Sequence, residues 1–400
     1  MGPVDIAVAG CGPGGLAAAL LLHRDGHRVT LFERFDSPRP LGSGLMIQPT
    51  GLAVLDRLGL ADRLLDHGAR IERLFGQADG RTVLDVHYAA LGHADAFGIG
   101  THRASLFAVL HDACRAEGIP IRTGRTVRGS ELASGGKRRL LFEDEARSEP
   151  FDLVVDMLGC RSRLAPPCVR ELAYGALWAS LDWPPGLFDG AALEQRYRRA
   201  SVMAGVLPIG TPPHGPAPQA AFFWSLRADR LPAWRDRGLN VWKAEVAALW
   251  PATQALLDQI VDPQQLTFAR YAHRTLPNPG GDALIHLGDA WHSASPQLGQ
   301  GANMALLDAW ALASALRGAA GVADAIARTV RSRRRHVRLY QWLTALFTPV
   351  YQSDSRLLPF ARDRIVGPAS RLWPATWIQA AMVSGLIGDP LAPLGLRARA

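Results

Sequence analysis

A glycine-rich turn close to the N-terminus constrains the fold of this chain more than any other feature. An apolar stretch, residues 4–9, leads into Gly10-Cys-Gly12-Pro-Gly-Gly15, and a helix-like apolar stretch, residues 16–24, follows it. In this pattern the first glycine permits a tight turn, the second lets the backbone approach a pyrophosphate, and the third lets the helix pack on the strand. The free N–H groups at the helix start favour phosphate oxygens. The pattern therefore predicts a dinucleotide-binding βαβ unit that opens a parallel sheet.

An acidic residue ends the second predicted strand. Residues 28–32 are rich in β-branched and aromatic side chains and lead directly to Glu33. A carboxylate at this place can accept hydrogen bonds from both hydroxyls of a ribose. Together with the glycine turn it indicates a dinucleotide, but it does not distinguish NAD from FAD.

A second glycine-containing stretch, far along the chain, favours FAD. A predicted strand ends at Gly288, and Asp289 can bind a chain of hydroxyl groups such as the ribitol of a flavin. Pro296 and the glycines after it would place a second helix N-terminus, whose partial positive charge suits the anionic edge of a reduced flavin. The stretch reads Gly288-Asp289-Ala-Trp-His292-Ser-Ala-Ser-Pro296-Gln-Leu-Gly299-Gln-Gly301-Ala302-Asn303.

The remaining periodicity predicts an α/β fold with two lobes. Strand-length apolar stretches separated by Pro- and Gly-rich segments begin at about residue 173, and helical spacing resumes at 301–315. We therefore expect a Rossmann-like FAD-binding domain, an inserted, mostly antiparallel β-sheet substrate domain and a helical C-terminal region. The expected strands of the insert are residues 174–181, 201–207, 219–226 and 266–273. The expected boundaries are 1–172 and 274–335 for the discontinuous FAD-binding domain, 173–273 for the sheet domain and 336–400 for a C-terminal helical cap.

Composition excludes several classes of function. A hydrophobic share of 48% and a charged share of 20% are those of a globular protein, and the net charge is +8. The densest basic cluster, residues 331–335, carries no interleaved aromatics, so we expect a solvated helix face and no nucleic-acid binding. The four cysteines show no C-x-x-C and no metal spacing with histidine, so we expect no metal site and a reducing, cytoplasmic location.

These motifs together resemble the FAD-dependent aromatic hydroxylases of the para-hydroxybenzoate hydroxylase fold, the group A flavoprotein monooxygenases. Within that family the resemblance is nearest to the ubiquinone-biosynthesis hydroxylase branch. It spans roughly residues 4 to 315. The matching pieces are the first glycine turn with Glu33 and Arg34, residues 44–59, His102-Arg103-Ala-Ser-Leu106, and the stretch from Gly288 to Asn303.

The resemblance implies a role for each matching residue. Arg103 would reach the FAD pyrophosphate and ribitol, Asp289 would bind ribitol, and the residues from Pro296 to Asn303 would flank the isoalloxazine ring. NAD(P)H, with NADPH as one donor, would reduce the FAD. O2 would then give a C4a-hydroperoxide that hydroxylates a small aromatic or phenolic, lipophilic substrate. No protein residue is assigned a catalytic role. The candidate substrate contacts are Gln48, Trp224, Tyr271 and His292.

One position departs from the family pattern. The family carries an Asp-Gly pair after a strand, and this pair has been linked to pyridine nucleotide binding. Here Leu158 occupies the aspartate position before Gly159. Asp156, two residues earlier, would face the same way by strand alternation. The departure calls direct reduction by NAD(P)H into question and leaves FAD binding untouched.

Alternatives stay open for the activity and for the C-terminal tail. A flavin halogenase, a flavin oxidase or reductase, and a non-catalytic flavin-binding protein would share the same FAD fold. The tail, which contains Trp342, Trp373 and Trp377, fits a helical cap packed on the FAD-binding domain. It is also consistent with a lid, a homodimer contact or a peripheral membrane contact for a lipophilic substrate.

Overall fold

The first part of the chain folds as alternating strands and helices. A computed structural model describes residues 2–37, 43–92 and 96–399. The strands are β1 (Asp5–Ala9), β2 (Arg28–Phe32), β3 (Gly44–Ile47), β4 (Ala69–Ile71), β5 (Arg73–Ala78), β6 (Arg81–His87), β7 (Gly98–His102), β8 (Ile121–Arg122), β9 (Val127–Leu132), β10 (Arg138–Phe142) and β11 (Leu153–Asp156). The helices are α1 (Pro13–Arg24), α2 (Pro49–Arg57), α3 (Ala61–Leu65) and α4 (Arg103–Ala116).

Long strands and then helices make up the second part. The strands are β12 (Arg170–Asp182), β13 (Ala192–Arg198), β14 (Val202–Gly210), β15 (Gln219–Arg227), β16 (Thr267–His273), β17 (Gly280–Gly281) and β18 (Leu284–His286). The helices are α5 (Leu231–Arg237), α6 (Leu239–Leu249), α7 (Gln254–Leu257), α8 (Asp289–His292), α9 (Gly301–Gly318), α10 (Val322–Tyr351), α11 (Leu357–Ala361), α12 (Gly367–Ala369) and α13 (Ala375–Val383).

A mostly parallel sheet carries the two glycine-containing motifs. Its strand order is β17-β18-β11-β1-β2-β8, and only β17 runs antiparallel to its neighbour. Ala9 is in register with both Phe32 and Asp156, and Asp156 is in register with His286. The carboxyl ends of four strands therefore share one edge of the sheet, where ligands of open α/β sheets bind. The prediction of a Rossmann-like α/β fold is confirmed.

The second sheet is mostly antiparallel, as expected, but it is larger than the predicted insert. Its order is β16-β12-β15-β14-β13-β5-β6. The strands expected at 174–181, 201–207, 219–226 and 266–273 are β12, β14, β15 and β16. The strands β5 and β6 come from outside the expected range of 173–273, and β5 pairs with β13 in parallel. This hairpin covers an edge that β13 would otherwise leave unpaired.

The two faces of this second sheet have different neighbours. On one face Phe222 and Trp224 pack against Trp242 of α6, with ring centroids 6.2 and 6.4 Å apart. On the other face a Cβ added to Gly44 of β3 would lie 2.5 Å from the Cβ of Ala221. The second face therefore lies against the FAD-binding domain.

The C-terminal helices are tied to the rest of the fold. Helix α10 runs through the expected boundary at residue 335 and packs on α9. Within the predicted solvated cluster of 331–335, Arg333 is fully buried, so that prediction is wrong for this residue. It packs inward because helical spacing turns it towards α9 while its neighbours face solvent. Within the described residues no helix is long and apolar enough to cross a membrane.

Candidate flavin site

The two glycine-containing motifs meet in space at the starts of α1 and α9. A Cβ added to Gly14 would lie 3.0 Å from the Cβ of Ala305, and one added to Gly288 would lie 3.1 Å from the same atom. The sulfur of Met157 lies 3.4 and 3.7 Å from these two Cβ positions. Glycine at both places lets the helices approach until their N-termini border one cleft at the strand edge.

The three fingerprint glycines have different reasons to be glycine. Gly10 has a φ of +109°, and a Cβ there would lie 2.5 Å from the Met157 carbonyl oxygen. A Cβ on Gly15 would overlap the carbonyl oxygen of Gly10. Gly12 has an ordinary φ of −77°, and a Cβ there would meet nothing within 4 Å. The fold therefore requires Gly10 and Gly15, whereas Gly12 leaves open space beside a helix N-terminus, as a bound pyrophosphate needs.

Glu33 stands beside this turn. Its Oε2 accepts a hydrogen bond from the Cys11 N–H at 3.1 Å, and its Oε1 accepts one from the Phe35 N–H at 3.1 Å. These bonds hold the half-buried carboxylate at the end of β2, close to the start of α1. Arg34 follows it, is exposed, and lies with its guanidinium 4.5 Å from the ring centre of Phe35.

The second motif presents an exposed carboxylate to a helix start. Asp289 is exposed, and its Oδ1 lies 3.9 Å from a Cβ built on Gly301, the first residue of α9. Pro296 is exposed on the turn between them. Gly299 has a φ of +62°, which a residue with a side chain rarely adopts, and a Cβ there would lie 3.6 Å from Nε2 of Gln48. The Asp289 carboxylate can accept hydrogen bonds from flavin hydroxyl groups, and the N–H groups at the start of α9 can donate to flavin carbonyl oxygens.

Both polar atoms of the Asn303 side chain form hydrogen bonds within the protein. Its Oδ1 accepts from the Gln48 N–H at 2.8 Å, and its Nδ2 donates to the carbonyls of Met46 at 3.2 Å and Gly299 at 2.9 Å. Gln48 is itself buried and accepts a hydrogen bond from the hydroxyl of Tyr88. Both residues fix the start of α9 against β3. The Asn303 side chain is therefore engaged within the protein, which leaves the backbone of the helix start for a ligand.

His292 lies in a buried charged network. Its Nε2 lies 2.6 Å from Oδ2 of Asp308, whose Oδ1 accepts from Arg333 at 2.8 Å. Burial raises the pKa of Asp308, but His292 and Arg333 outweigh this effect and hold it at about 2. Arg333 also bonds Nδ1 of His336 at 3.0 Å, and burial lowers the pKa of His336 to about 3. The substrate contact predicted for His292 is corrected here, because its ring is buried and bonded to Asp308.

An aromatic pair faces the FAD-binding domain from the second sheet. Nε1 of Trp178 donates to the hydroxyl of Tyr271 at 3.0 Å, and its ring lies 4.7 Å from that of Phe223. Burial raises the pKa of Tyr271 to about 12, although its hydrogen bond with Trp178 and the charge of Arg103 lower it. Arg103 is exposed at the first position of α4, close enough for its charge to act on the phenol of Tyr271.

Sequence reasoning missed Trp178 and misplaced Trp224. Trp178 alternates with Leu177 and Ala179, which join the core beneath α6, and so it points to the opposite face. This alternation was readable in the sequence. Trp224 is buried in the core beneath α6, on the face turned away from the FAD-binding domain, and so it does not line this cleft. Its ring is large and apolar, and the helices α5 to α7 bury it.

Asp156 does not replace the aspartate that Leu158 has displaced. It is fully buried, and its Oδ1 accepts from the Leu158 N–H at 3.0 Å. Its Oδ2 lies 2.6 Å from both the hydroxyl of Ser162 and Nδ1 of His286. Leu158 packs on an apolar cluster that contains Phe32. The Asp156 carboxylate therefore forms its hydrogen bonds within the protein, at the edge of the sheet.

The residues that the structure describes contain no group of three or more His, Cys, Asp or Glu side chains that could hold a metal ion. The open space at Gly12, the Glu33 carboxylate and the Asp289–Gly301 pair fit an extended flavin dinucleotide.

Comparisons with known proteins agree with this geometry. The family model described as FAD binding domain matches residues 3–146 and 207–339. The 6-hydroxynicotinate 3-monooxygenase of Pseudomonas fluorescens is 26% identical over 333 residues, which cover 78% of this chain and 82% of the relative. Phenazine 1,6-dicarboxylic acid hydroxylase PhzS of Lysobacter antibioticus is 28% identical over 358 residues, which cover 82% and 86%.

A solved structure shows the same fold over nearly the whole chain. The crystal structure of Klebsiella pneumoniae HpxO complexed with FAD and uric acid has a TM-score of 0.78 at 20% identity. It covers 96% of this chain and 98% of its own. The chain belongs to the FAD binding domain family, and it is an FAD-dependent monooxygenase of the group A aromatic hydroxylase type.

Proposed function

We propose that this enzyme hydroxylates a small aromatic or phenolic, lipophilic substrate, with O2 as oxidant and NAD(P)H as the source of electrons. Bound reduced FAD would supply the activation of O2, one atom of which enters the ring while the other leaves as water. The residues proposed to hold FAD are Gly10, Gly12, Gly15, Glu33, Arg34, Arg103, Asp289, Pro296, Gly299, Gly301, Ala302 and Asn303. That the chain most resembles the ubiquinone-biosynthesis branch of the family stays a prediction.

The single observation that carries this proposal is the convergence of the two glycine-containing helix starts. Gly14 and Gly288 are about 270 positions apart in sequence, yet both pack against Ala305. A single helix N-terminus is a common anion site. Two N-termini beside one cleft, with Glu33 and Asp289 at different parts of it, favour a ligand with phosphates and two polyhydroxyl groups.

The protein's own residues would position the substrate and exclude water. Trp178 and Tyr271 offer a half-buried aromatic wall on the face towards the flavin site, and a ring can stack or pack edge-on against it. The phenol of Tyr271 is protonated at neutral pH, and burial raises its pKa further, to about 12. Its oxygen accepts from Trp178, so its O–H can donate to a substrate oxygen. Gln48 would act by fixing the loop at Gly299.

Relatives support the substrate class. One is named for hydroxylation of 6-hydroxynicotinate and another for hydroxylation of phenazine 1,6-dicarboxylic acid. Both compounds are small aromatic heterocycles that carry polar substituents. We propose the same class here, with an apolar ring against Trp178.

The cellular location that we propose is a reducing one, the cytoplasm. The thiols of Cys11 and Cys114 are buried and unpaired, which supports this location.

Labelled oxygen tests this function. The FAD-loaded protein is given NADPH or NADH and ¹⁸O2 with a panel of hydroxylated aromatic acids, phenols and quinolines, and products are analysed by mass spectrometry. We expect one ¹⁸O atom in the product of at least one substrate. Turnover without ¹⁸O in any product would instead favour an oxidase or reductase. Halogenated product in the presence of chloride or bromide would favour a halogenase.

A further inference from the structure

The C-terminal segment presents an apolar surface to solvent. Trp373 is 83% exposed and Leu357 is 74% exposed, in a stretch where a globular protein usually places polar side chains. Elsewhere in the described residues, exposed large apolar side chains are scattered singly, except for Trp342 and Leu346, one turn apart on α10. We define the C-terminal apolar patch as the exposed residues Leu357, Leu358, Phe360, Ile365, Val366, Leu372, Trp373, Trp377 and Ile378.

This patch lies on a segment that is firmly attached to the protein. Arg362 is buried and donates to the carbonyls of Val350 at 3.2 Å and Arg199 at 3.1 Å. Arg371 donates to the carbonyl of Thr82 on β6 at 3.0 Å, and Gly367 packs against the same strand. The side of the segment that faces the protein is therefore held by hydrogen bonds from polar side chains, and the apolar side chains of the patch face solvent. Large exposed apolar surfaces of this kind mark interaction sites.

The charges beside the patch are positive. Arg356, Arg364 and Arg371 are exposed on the same segment. Between residues 356 and 378 the sequence has one acidic residue, Asp363, and this carboxylate pairs with Arg362 at 2.6 Å. A second copy of the chain docked through the same patch would bring two positively charged segments together, which opposes association. An anionic surface would attract them.

We propose that the C-terminal apolar patch docks this protein on an anionic lipid membrane surface. Tryptophans at the patch would sit at the level of the lipid headgroups, leucine, isoleucine and phenylalanine would reach the acyl boundary, and the arginines would contact lipid phosphates. The docking goes beyond the proposed monooxygenase reaction and does not depend on it.

The patch continues into the wall of the flavin site through α13. Trp377 and Ile378 are exposed on the first half of this helix, whereas Ala380 and Val383 are buried in the cluster that contains Met46. Trp178 packs against the same cluster. A lipophilic substrate dissolved in the membrane would therefore meet α13 next to the aromatic wall.

Vesicle binding tests the proposal directly. The FAD-loaded full-length protein is sedimented with vesicles of phosphatidylcholine alone or of an equimolar mixture with phosphatidylglycerol. We expect binding to the anionic vesicles that weakens at high salt. The double variant Trp373→Ser/Trp377→Ser should bind them about tenfold or more weakly. Arg356→Gln and Arg364→Gln should each weaken binding about fivefold.

Controls separate this interpretation from others. Val261→Ser removes an apolar side chain that is 80% exposed outside the patch, and it should bind vesicles as the wild type does. Equal binding by the tryptophan double variant, or no binding to anionic vesicles, overturns the proposal. If the wild type is a dimer in the absence of lipid and the double variant is a monomer, the patch belongs to a contact with a second copy. That result overturns the proposal as well. Oxidation of NAD(P)H with a water-soluble substrate reports separately on the monooxygenase function.

Discussion

Asp308 on α9 and Arg333 on α10 form an ion pair that is fully buried, with 2.8 Å between Oδ1 and Nε. The other oxygen of Asp308 accepts the Gly288 N–H at 2.9 Å and lies 2.6 Å from His292. One carboxylate thus connects the second glycine motif to the long C-terminal helix. This link explains how α10 helps to position a flavin site that it does not itself line.

We expect Asp308→Asn to lower the free energy of unfolding by about 3–5 kcal/mol, because it leaves the buried Arg333 charge without its partner. Urea unfolding at pH 7 measures this loss. The matched control is Asp324→Asn on α10, whose exposed pair with Arg328 spans one helical turn. That variant should lose about 0.5 kcal/mol or less. Equal losses in the two variants would contradict the role given to the network.

His336 makes the stability of the protein depend on pH. Its pKa falls from 6.5 to about 3 because burial disfavours the charged ring, and the charge of Arg333 adds to this. The neutral ring accepts from Arg333 through Nδ1 and donates to the Gly385 carbonyl through Nε2. The unfolded chain therefore binds the extra proton between pH 6.5 and 3, and stability falls as pH falls through this window.

We expect the wild type to lose about 2 kcal/mol more than His336→Gln between pH 7 and pH 5, because glutamine keeps a donor and an acceptor but does not titrate. Urea unfolding at the two pH values gives both differences. Parallel losses in the two proteins would contradict a lowered pKa of His336 in the fold.

Tyr271 is expected to act on substrate binding. Tyr271→Phe removes the phenol O–H from the aromatic wall while keeping the ring, so KM should rise about tenfold with a smaller change in kcat. Steady-state assays with the best substrate from the ¹⁸O panel measure both constants. Trp224→Phe, on the opposite face of the same sheet, serves as the control and should leave KM unchanged although it lowers stability. A change of KM in Trp224→Phe but not in Tyr271→Phe would place the substrate on the α6 face of the sheet and contradict this prediction.

Direct reduction by NAD(P)H is expected to be slow. Leu158 replaces the family aspartate, and the carboxylate of Asp156 is fully buried against Ser162 and His286. Anaerobic stopped-flow absorbance with NADH or NADPH measures the reduction rate, and a separate flavin reductase should increase turnover. Fast reduction without that reductase would show that the aspartate is dispensable here.

Much of this site could be read from the sequence because local patterns encode it. The turn from Gly10 to Gly15 and the start of α9 at Gly301 depend on glycine at fixed positions between a strand and a helix, and both are found where predicted. The convergence of the two motifs followed from the family resemblance rather than from their spacing.

Features that depend on long-range packing could not be read in the same way. Arg333 lies among exposed arginines, and only the approach of α9 buries it. The hairpin β5–β6 joins the second sheet through a parallel pairing with β13, more than 100 residues away, which leaves no local signal. Asn303 matched the flavin motif, but its side chain forms hydrogen bonds with the backbone at and just after β3 and does not point into the cleft.

The most direct measurement is a titration of FAD into the wild-type protein and Gly12→Val, with FAD affinity read by calorimetry and stability by urea unfolding. A Cβ added at Gly12 meets no protein atom within 4 Å, and the same holds at Gly190, so we expect Gly12→Val to fold as stably as the control Gly190→Val. We expect FAD to bind the wild type and Gly190→Val, and to bind Gly12→Val at least about 100-fold more weakly, because the valine fills the pyrophosphate position. Equal FAD affinity in all three proteins, or no FAD binding by the wild type, would contradict the account.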